Sequence, residues 1–414
     1  MKQTEVFETY ESEVRSYCRA FPAVFAKAKG SVMTDVDGKE YIDFFCGAGA
    51  VNYGHNNDYI KDKLVAYLQD DGILHALDMM TAPKAEFLRF FEEEVLQPRG
   101  LNYKVMFAGP TGTNAIEAAL KLARKVKKRD NIWCLMGCFH GMTLGALALT
   151  SDKDSRRGAG VSLGNVTHIP APYMFDGLDT LHYMETLLTD DHSGVEAPAA
   201  IIAETIQAEG GIHVFSVEYL QGLRKLCDQY GILLIVDDIQ VGCARSGTFF
   251  SFERAGIVPD MVVLSKSIGG YGLPFALTLF KPELDIWSPG EHNGTFRGNQ
   301  LAMVAAKAGL EYMLEHRVEA EVRRKGELVR GYLEQQIKRD GIAVRGLGLI
   351  WGIDVGSGEK AAAISKACFE RGLIIERAGR GNSVVKLMPP LVIEDELLMK
   401  GLAILKESVD AVMG

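Results

Sequence analysis

Apolar residues follow two rhythms along this chain. In its middle third, short unbroken apolar runs stand at 199–203, 232–236 and Met261–Leu264, with a further run at Ile132–Leu135. Runs of four or five apolar residues with no alternation fit strands buried on both faces. Between them the period changes. After Ser216, a candidate N-cap, Leu220, Leu223, Leu226 and Cys227 share one helical face, and Gly231 stands where a helix would stop. Residues 114–127 read as a helix through the stripe Ile116, Ala119, Leu120, Ala123 and Val126. Strands alternating with helices predict a mostly parallel sheet with crossover helices.

Both ends have a different texture. Two long helical patterns at 300–316 and 319–338 lead to short strands at 348–355 and 372–376 and to a closing helix from Glu394. Near the start, the turn Asp37-Gly38-Lys39 precedes a strand at 41–45. The expected architecture is α/β. A large domain over 51–300 carries the sheet, 301–414 forms a smaller α+β domain, and 1–50 packs on that smaller domain.

Composition narrows the function classes. The chain has 414 residues, 47% hydrophobic and 24% charged, enough for a sizeable core without staples. Its formal net charge of -9 argues against nucleic acid or an anionic membrane as partner. No apolar run approaches the ~20 residues that span a bilayer. The first residues lack the order of a signal peptide, so a cytoplasmic location is expected. Seven cysteines are scattered, with Cys134 and Cys138 the one close pair and no paired histidines beside them. Buried free thiols are expected, and no metal site.

Candidate chemistry gathers where the runs end. Glu204 follows the first, Asp237 and Asp238 the second, and Ser265 and Lys266 the third. In an open parallel sheet, ligands bind beyond the carboxyl ends of the strands. A lysine and an acid at neighbouring strand ends suit pyridoxal 5'-phosphate, which takes a lysine for its Schiff base and an acid to keep its ring nitrogen protonated. Gly269, Gly270 and Gly272 after the lysine let backbone approach a ligand. The segment Gly109-Pro110-Thr111-Gly112-Thr113-Asn114, opening a helix, offers N–H donors to a phosphate. Phe139 and His140 follow Ile132–Leu135, where an aromatic ring can stack on a pyridine.

Together these segments resemble the class III aminotransferases of the fold type I pyridoxal-phosphate enzymes, from about residue 10 to the last helix. The most specific block is Val236-Asp237-Asp238-Ile239-Gln240 with Gly242, Arg245 and Gly247, followed by Ser265-Lys266-Ser267. The resemblance implies that Lys266 carries the cofactor, Asp237 pairs with its ring nitrogen and Gln240 approaches its ring hydroxyl. It also implies that Phe139 stacks on the ring while Gly112 and Thr113 hold the phosphate. Thr295, in Asn293-Gly294-Thr295-Phe296, falls where the family reaches the phosphate of a neighbouring subunit, which implies a homodimer or larger homo-oligomer.

A narrower likeness, in 109–124, 235–252 and 273–302, is to members that move the amino group of L-glutamate onto the aldehyde of L-aspartate 4-semialdehyde. That step opens ectoine biosynthesis. Other ω-aminotransferases, for ornithine, acetylornithine, 4-aminobutyrate or a polyamine, are the alternative, and a non-catalytic scaffold is disfavoured because every expected catalytic residue type is present.

Two departures from the wider class stand out. Lys386 occupies the position where many members grip the substrate carboxylate with arginine, so Arg297 or Arg345 is expected to share that task. The family's Gly-Glu-Gly is Ala208-Glu209-Gly210 here. Glu209 is expected to switch between substrates by pairing with a nearby cation.

Overall fold

The seven central strands are β1 (Lys104–Gly109), β2 (Ile132–Leu135), β3 (Val166–Ile169), β4 (Ala200–Ala203), β5 (Leu233–Asp237), β6 (Met261–Leu264) and β7 (Ala276–Phe280). The structure, a computed structural model, describes residues 3–414. The strand order is β1-β7-β6-β5-β4-β2-β3. β7 runs antiparallel to both its neighbours, and the other strands run in one direction. The result is the mixed, mostly parallel α/β sheet that the runs predict.

The absence of alternation in β4, β5 and β6 has a direct cause. Leu234, Val236, Val262, Leu264 and Ile201 belong to the core on one face. Leu233, Ile235, Met261, Val263 and Ile202 belong to the core on the other. Every residue of these three strands is buried, so each strand is apolar on both sides.

Helix α1 (Gly112–Lys127) packs on the second face through Ile116, Ala119, Leu120 and Ala123. It begins two residues before the expected 114 because Thr111 is its N-cap. The Asn114 side-chain Oδ1 accepts from Thr111 N at 3.2 Å and Thr111 Oγ1 at 2.7 Å. Helix α2 (Val217–Gln229) is capped by Ser216, which accepts from Tyr219 N, and Gly231 follows it at φ +60. Both ends match the expectation.

The terminal segments meet. Strands Phe25–Lys29, Val32–Asp35 and Glu40–Asp43 form a small sheet, completed by Leu373–Ile374 parallel to the last of them. A second four-stranded sheet contains Ala343–Leu347, Ile350–Asp354, Val384–Leu387 and Glu376–Ala378. The single strand expected at 372–376 is thus two strands in two sheets, parted at Ile375. Ser365 Oγ donates to the Ile375 carbonyl at 2.7 Å, satisfying a group that a continuous ladder would have taken. The closing helix runs Asp395–Met413 after Glu394. All seven cysteines are free; six are buried as expected, and Cys18 is exposed. Among the described residues, no helix is long and apolar enough to cross a membrane.

Candidate active site

Because β2, β4, β5 and β6 run in one direction, their carboxyl ends share an edge of the sheet, and β1 ends there too. A cavity of about 170 Å³ opens at that edge. Gly112, Thr113, Phe139, His140, Glu204, Glu209, Asp237, Gln240 and Lys266 all line it. Nine residues from six segments, singled out by sequence, converge on one space.

At its centre is an acid–imidazole pair. His140 Nδ1 and Asp237 Oδ2 are 2.6 Å apart, and both residues are buried. Burial opposes a charge on the ring, but Cys138 and the Asp237 carboxylate outweigh it and hold His140 well above its ordinary range. Asp237 Oδ1 accepts from Ile239 N at 3.1 Å, which fixes the carboxylate plane. Glu204 accepts from Phe139 N at 3.0 Å and Ala208 N at 3.2 Å. Those bonds favour its charge, yet burial dominates and pushes it up to about 8. The same Ala208 is buried.

Lys266 opens the turn Lys266–Gly269 immediately after β6. Its φ of +54 is left-handed, unusual for a residue with a side chain. Burial lowers its ammonium below the usual lysine value, against the pull of Glu209. Its Nζ makes no hydrogen bond among the described residues.

Glu209 lines the cavity and pairs with Lys386, which does not line it. Lys386 is wholly buried, with Nζ 2.6 Å from Glu209 Oε1 and 2.7 Å from Glu376 Oε1. Burial disfavours the ammonium, but the two carboxylates overrule it and raise Lys386 above its ordinary value. Glu209 is drawn below its usual value: burial opposes this, and Lys386 and Lys266 prevail. Glu376 carries no assigned role in the sequence reading. Its signal was indirect: a lysine inside the apolar strand Val384–Leu387 requires a buried counter-charge, and Glu376 is its cross-strand partner.

Three of the expected residues lie elsewhere in the protomer. Thr295 opens a short turn whose carbonyl accepts from His75 Nε2 at 2.7 Å. Arg297 pairs with Asp78 and donates to the His292 carbonyl at 2.9 Å. Arg345 donates to the Gly211 carbonyl at 2.7 Å and pairs with Asp354 at 3.1 Å. None of the three lines the Lys266 cavity.

The residues fit pyridoxal phosphate. Among the described residues no donor meets the buried Gln240 Oε1, which suits an atom that faces a ring hydroxyl. Its Nε2 is already engaged on the Ala48 carbonyl at 3.1 Å. Gly112 and Thr113 line the cavity at the first turn of α1, where helix N–H groups are free to meet an anion, and Ile239 requires glycine at 112, since a Cβ there would stand 2.8 Å from Ile239 Cδ1. Phe139 supplies an aromatic face, and Asp237 with His140 supplies the acid.

Comparison with known proteins agrees. The family model "Aminotransferase class-III" matches residues 15–409. The chain is 53% identical to the diaminobutyrate–2-oxoglutarate transaminase of Halalkalibacterium halodurans, covering 100% of this chain and 98% of the relative. It is 53% identical to the protein of that name in Nocardia farcinica, covering 99% and 95%. Among solved structures, the ornithine aminotransferase of Toxoplasma gondii, described with partial occupancy of PLP at its active site, superposes with a TM-score of 0.86. That likeness is at 26% identity and covers 99% of this chain and 94% of that one. An S-selective transaminase from an Arthrobacter species superposes at 0.89 with 23% identity, covering 99% and 98%, and shares the fold.

Proposed function

Since this chain belongs to the class III aminotransferases and uses pyridoxal 5'-phosphate, we propose that it moves the amino group of L-glutamate to L-aspartate 4-semialdehyde. The products are L-2,4-diaminobutyrate and 2-oxoglutarate. The observation that carries this reading is the end-to-end likeness to transaminases named for those products. The cavity agrees with it, because a free lysine amine and a paired aspartate face one space.

When bound, pyridoxal phosphate supplies an electron sink at the reacting carbon of the substrate. The remaining work falls to side chains. Asp237, backed by His140, would hold a proton on the ring nitrogen. Phe139 would cover a ring face, Gln240 would meet the ring hydroxyl, and Gly112 and Thr113 would take the phosphate. Lys266 would tether the cofactor. Once displaced, its Nζ would take the proton from the α carbon of glutamate and pass it to the cofactor, with the reverse transfer serving the semialdehyde. Its lowered ammonium value keeps more of the amine in the neutral form a base needs. Glu209 pairs with Lys386 when the distal end of diaminobutyrate is in place, and releases it to the α-carboxylate of glutamate.

We also propose a homo-oligomer with Thr295 and Arg297 directed at a neighbouring subunit's site. Met79, Met80 and Phe296 are largely exposed on the same face as those residues, and apolar groups so placed favour a covering partner. A cytoplasmic role in ectoine biosynthesis completes the proposal.

The test is the visible absorption of the holoenzyme with single amino donors. L-glutamate and L-2,4-diaminobutyrate are expected to bleach the cofactor band, and ornithine and 4-aminobutyrate to leave it. Faster bleaching by ornithine than by diaminobutyrate would overturn the substrate while leaving the aminotransferase.

A further inference from the structure

The cluster around Lys386 holds one more carboxylate than it has charge for. Lys386 Nζ stands between Glu209 Oε1 and Glu376 Oε1 at 2.6 and 2.7 Å. One ammonium therefore faces two acids. The two acids are not equivalent. Glu209 is on the cavity wall, with its side chain 35% exposed. Glu376 is 7% exposed and lies behind the lysine, on the neighbouring strand, opposite it in register. Among the described residues Lys386 is its one ion-pair partner and the one donor to its side chain. A carboxylate whose one donor is a shared ammonium, and that is cut off from water, keeps its charge only while that cation is undivided.

A substrate carboxylate reaching Lys386 from the cavity displaces Glu209 but cannot displace Glu376. Lys386 would then hold two carboxylates again, one of them brought in from water. The groups facing Glu376 offer little relief: beyond Lys386 they are Glu209, Lys266 and the Tyr17 hydroxyl. Of these only Lys266 is a cation, and its ammonium is itself depressed by burial.

We propose that Glu376 is a specificity-determining proton acceptor: it takes one proton from solution when a substrate carboxylate replaces Glu209 on Lys386, and returns it when Glu209 comes back. Protonation leaves Lys386 a full charge for the incoming carboxylate. The distal-amine substrate, handled with Glu209 in place, has no such requirement. The inference rests on the reading that glutamate and 2-oxoglutarate are substrates. Burial, partly countered by Lys386, places Glu376 at about 7, so the exchange falls in the working pH range. The sign is fixed. Above that value Glu376 is charged in the free enzyme, and binding draws in a proton. Below it the proton is already present. Affinity for the dicarboxylate should therefore fall about tenfold per pH unit on the alkaline side and level off on the acid side.

The experiment is calorimetric titration of holoenzyme with 2-oxoglutarate in buffers of different ionisation enthalpy, at pH 6 and pH 8. We expect about one proton taken up at pH 8 and close to none at pH 6. E376Q should bind without uptake at either pH, and E376D should retain uptake at pH 8. Equal uptake at both pH values, no uptake by the wild type at pH 8, or undiminished uptake in E376Q would overturn the proposal. If E376Q does not fold, the wild type and E376D decide by the same criteria. Failure of the wild type to bind 2-oxoglutarate at all would instead overturn the substrate reading and, with it, this inference.

Discussion

Lys266 pays a backbone penalty to stand where it does. A left-handed conformation costs a residue with a Cβ about 1–2 kcal/mol, and its φ is +54. Strain of this kind persists only where the surroundings over-determine it. Lys266→Gly should therefore keep or slightly raise the Tm while removing turnover by more than about 100-fold. Lys266→Ala should lose turnover to the same extent, together with the borohydride-reducible cofactor linkage; a retained linkage in that variant would refute the assignment. Lys386 makes the opposite kind of demand. Lys386→Met would leave Glu209 and Glu376 facing each other without a cation, and should cost about 3 kcal/mol in urea unfolding. Adding Glu376→Gln to that variant should recover part of the loss. At this scale most of the residues that line the cavity were legible, because strand-end chemistry is written in short contiguous blocks. Glu376 was not, since its role depends on a cross-strand neighbour ten positions away in the chain and on burial of both partners.

The elements owe their placement to features of two kinds. Ser216 and Gly231 bracket α2 by local hydrogen bonding and a left-handed φ, and neither needs the rest of the molecule. Ser216→Ala should lose about 1 kcal/mol by thermal or urea unfolding. Gly270 belongs to the other kind. It sits at φ +70, and a Cβ built there would stand 1.9 Å from the Ala305 carbonyl, in helix Gln300–Glu315. Gly270→Ala must push that helix away from the Lys266 turn. A loss of about 3 kcal/mol or more in urea unfolding, with weakened cofactor retention, is the expected result. An unchanged stability would show that the turn and the helix are not in tight register. The glycine was visible in the sequence as a permissive residue, but the helix it must clear was not. For the same reason 372–376 read as one strand: its apolar pattern is continuous, and only the two sheets competing for its ends divide it at Ile375.

Across the whole molecule, burial of acids at one sheet edge leaves a signature in the pH dependence of stability. Glu204 is pushed up to about 8, and Asp238 to about 7, in each case chiefly by desolvation. A carboxyl group raised in the folded state contributes stability fully present below its unfolded value and lost as pH rises through its folded one. These groups should thus lower the Tm of the cofactor-free protein between about pH 5 and 9, and Glu204→Gln should flatten that fall. A Tm profile for Glu204→Gln parallel to that of the wild type would place the ionised form of Glu204 in the fold, held by its two backbone donors.

By itself, the sequence determined the layered α/β architecture, because unbroken apolar runs are compatible with little else than strands covered on both faces. It also placed a lysine and an aspartate at neighbouring strand ends, the pair proposed to hold the cofactor, because each follows such a run. Tertiary structure alone decided that β7 runs against its neighbours, that Glu376 shares Lys386 with Glu209, and that Thr295, Arg297 and Arg345 stand outside the protomer's own cavity. The division has one physical cause. Periodicity and strand-end chemistry are local and survive in a one-dimensional string, whereas strand direction, charge pairing and burial arise only when distant segments exclude water from between them.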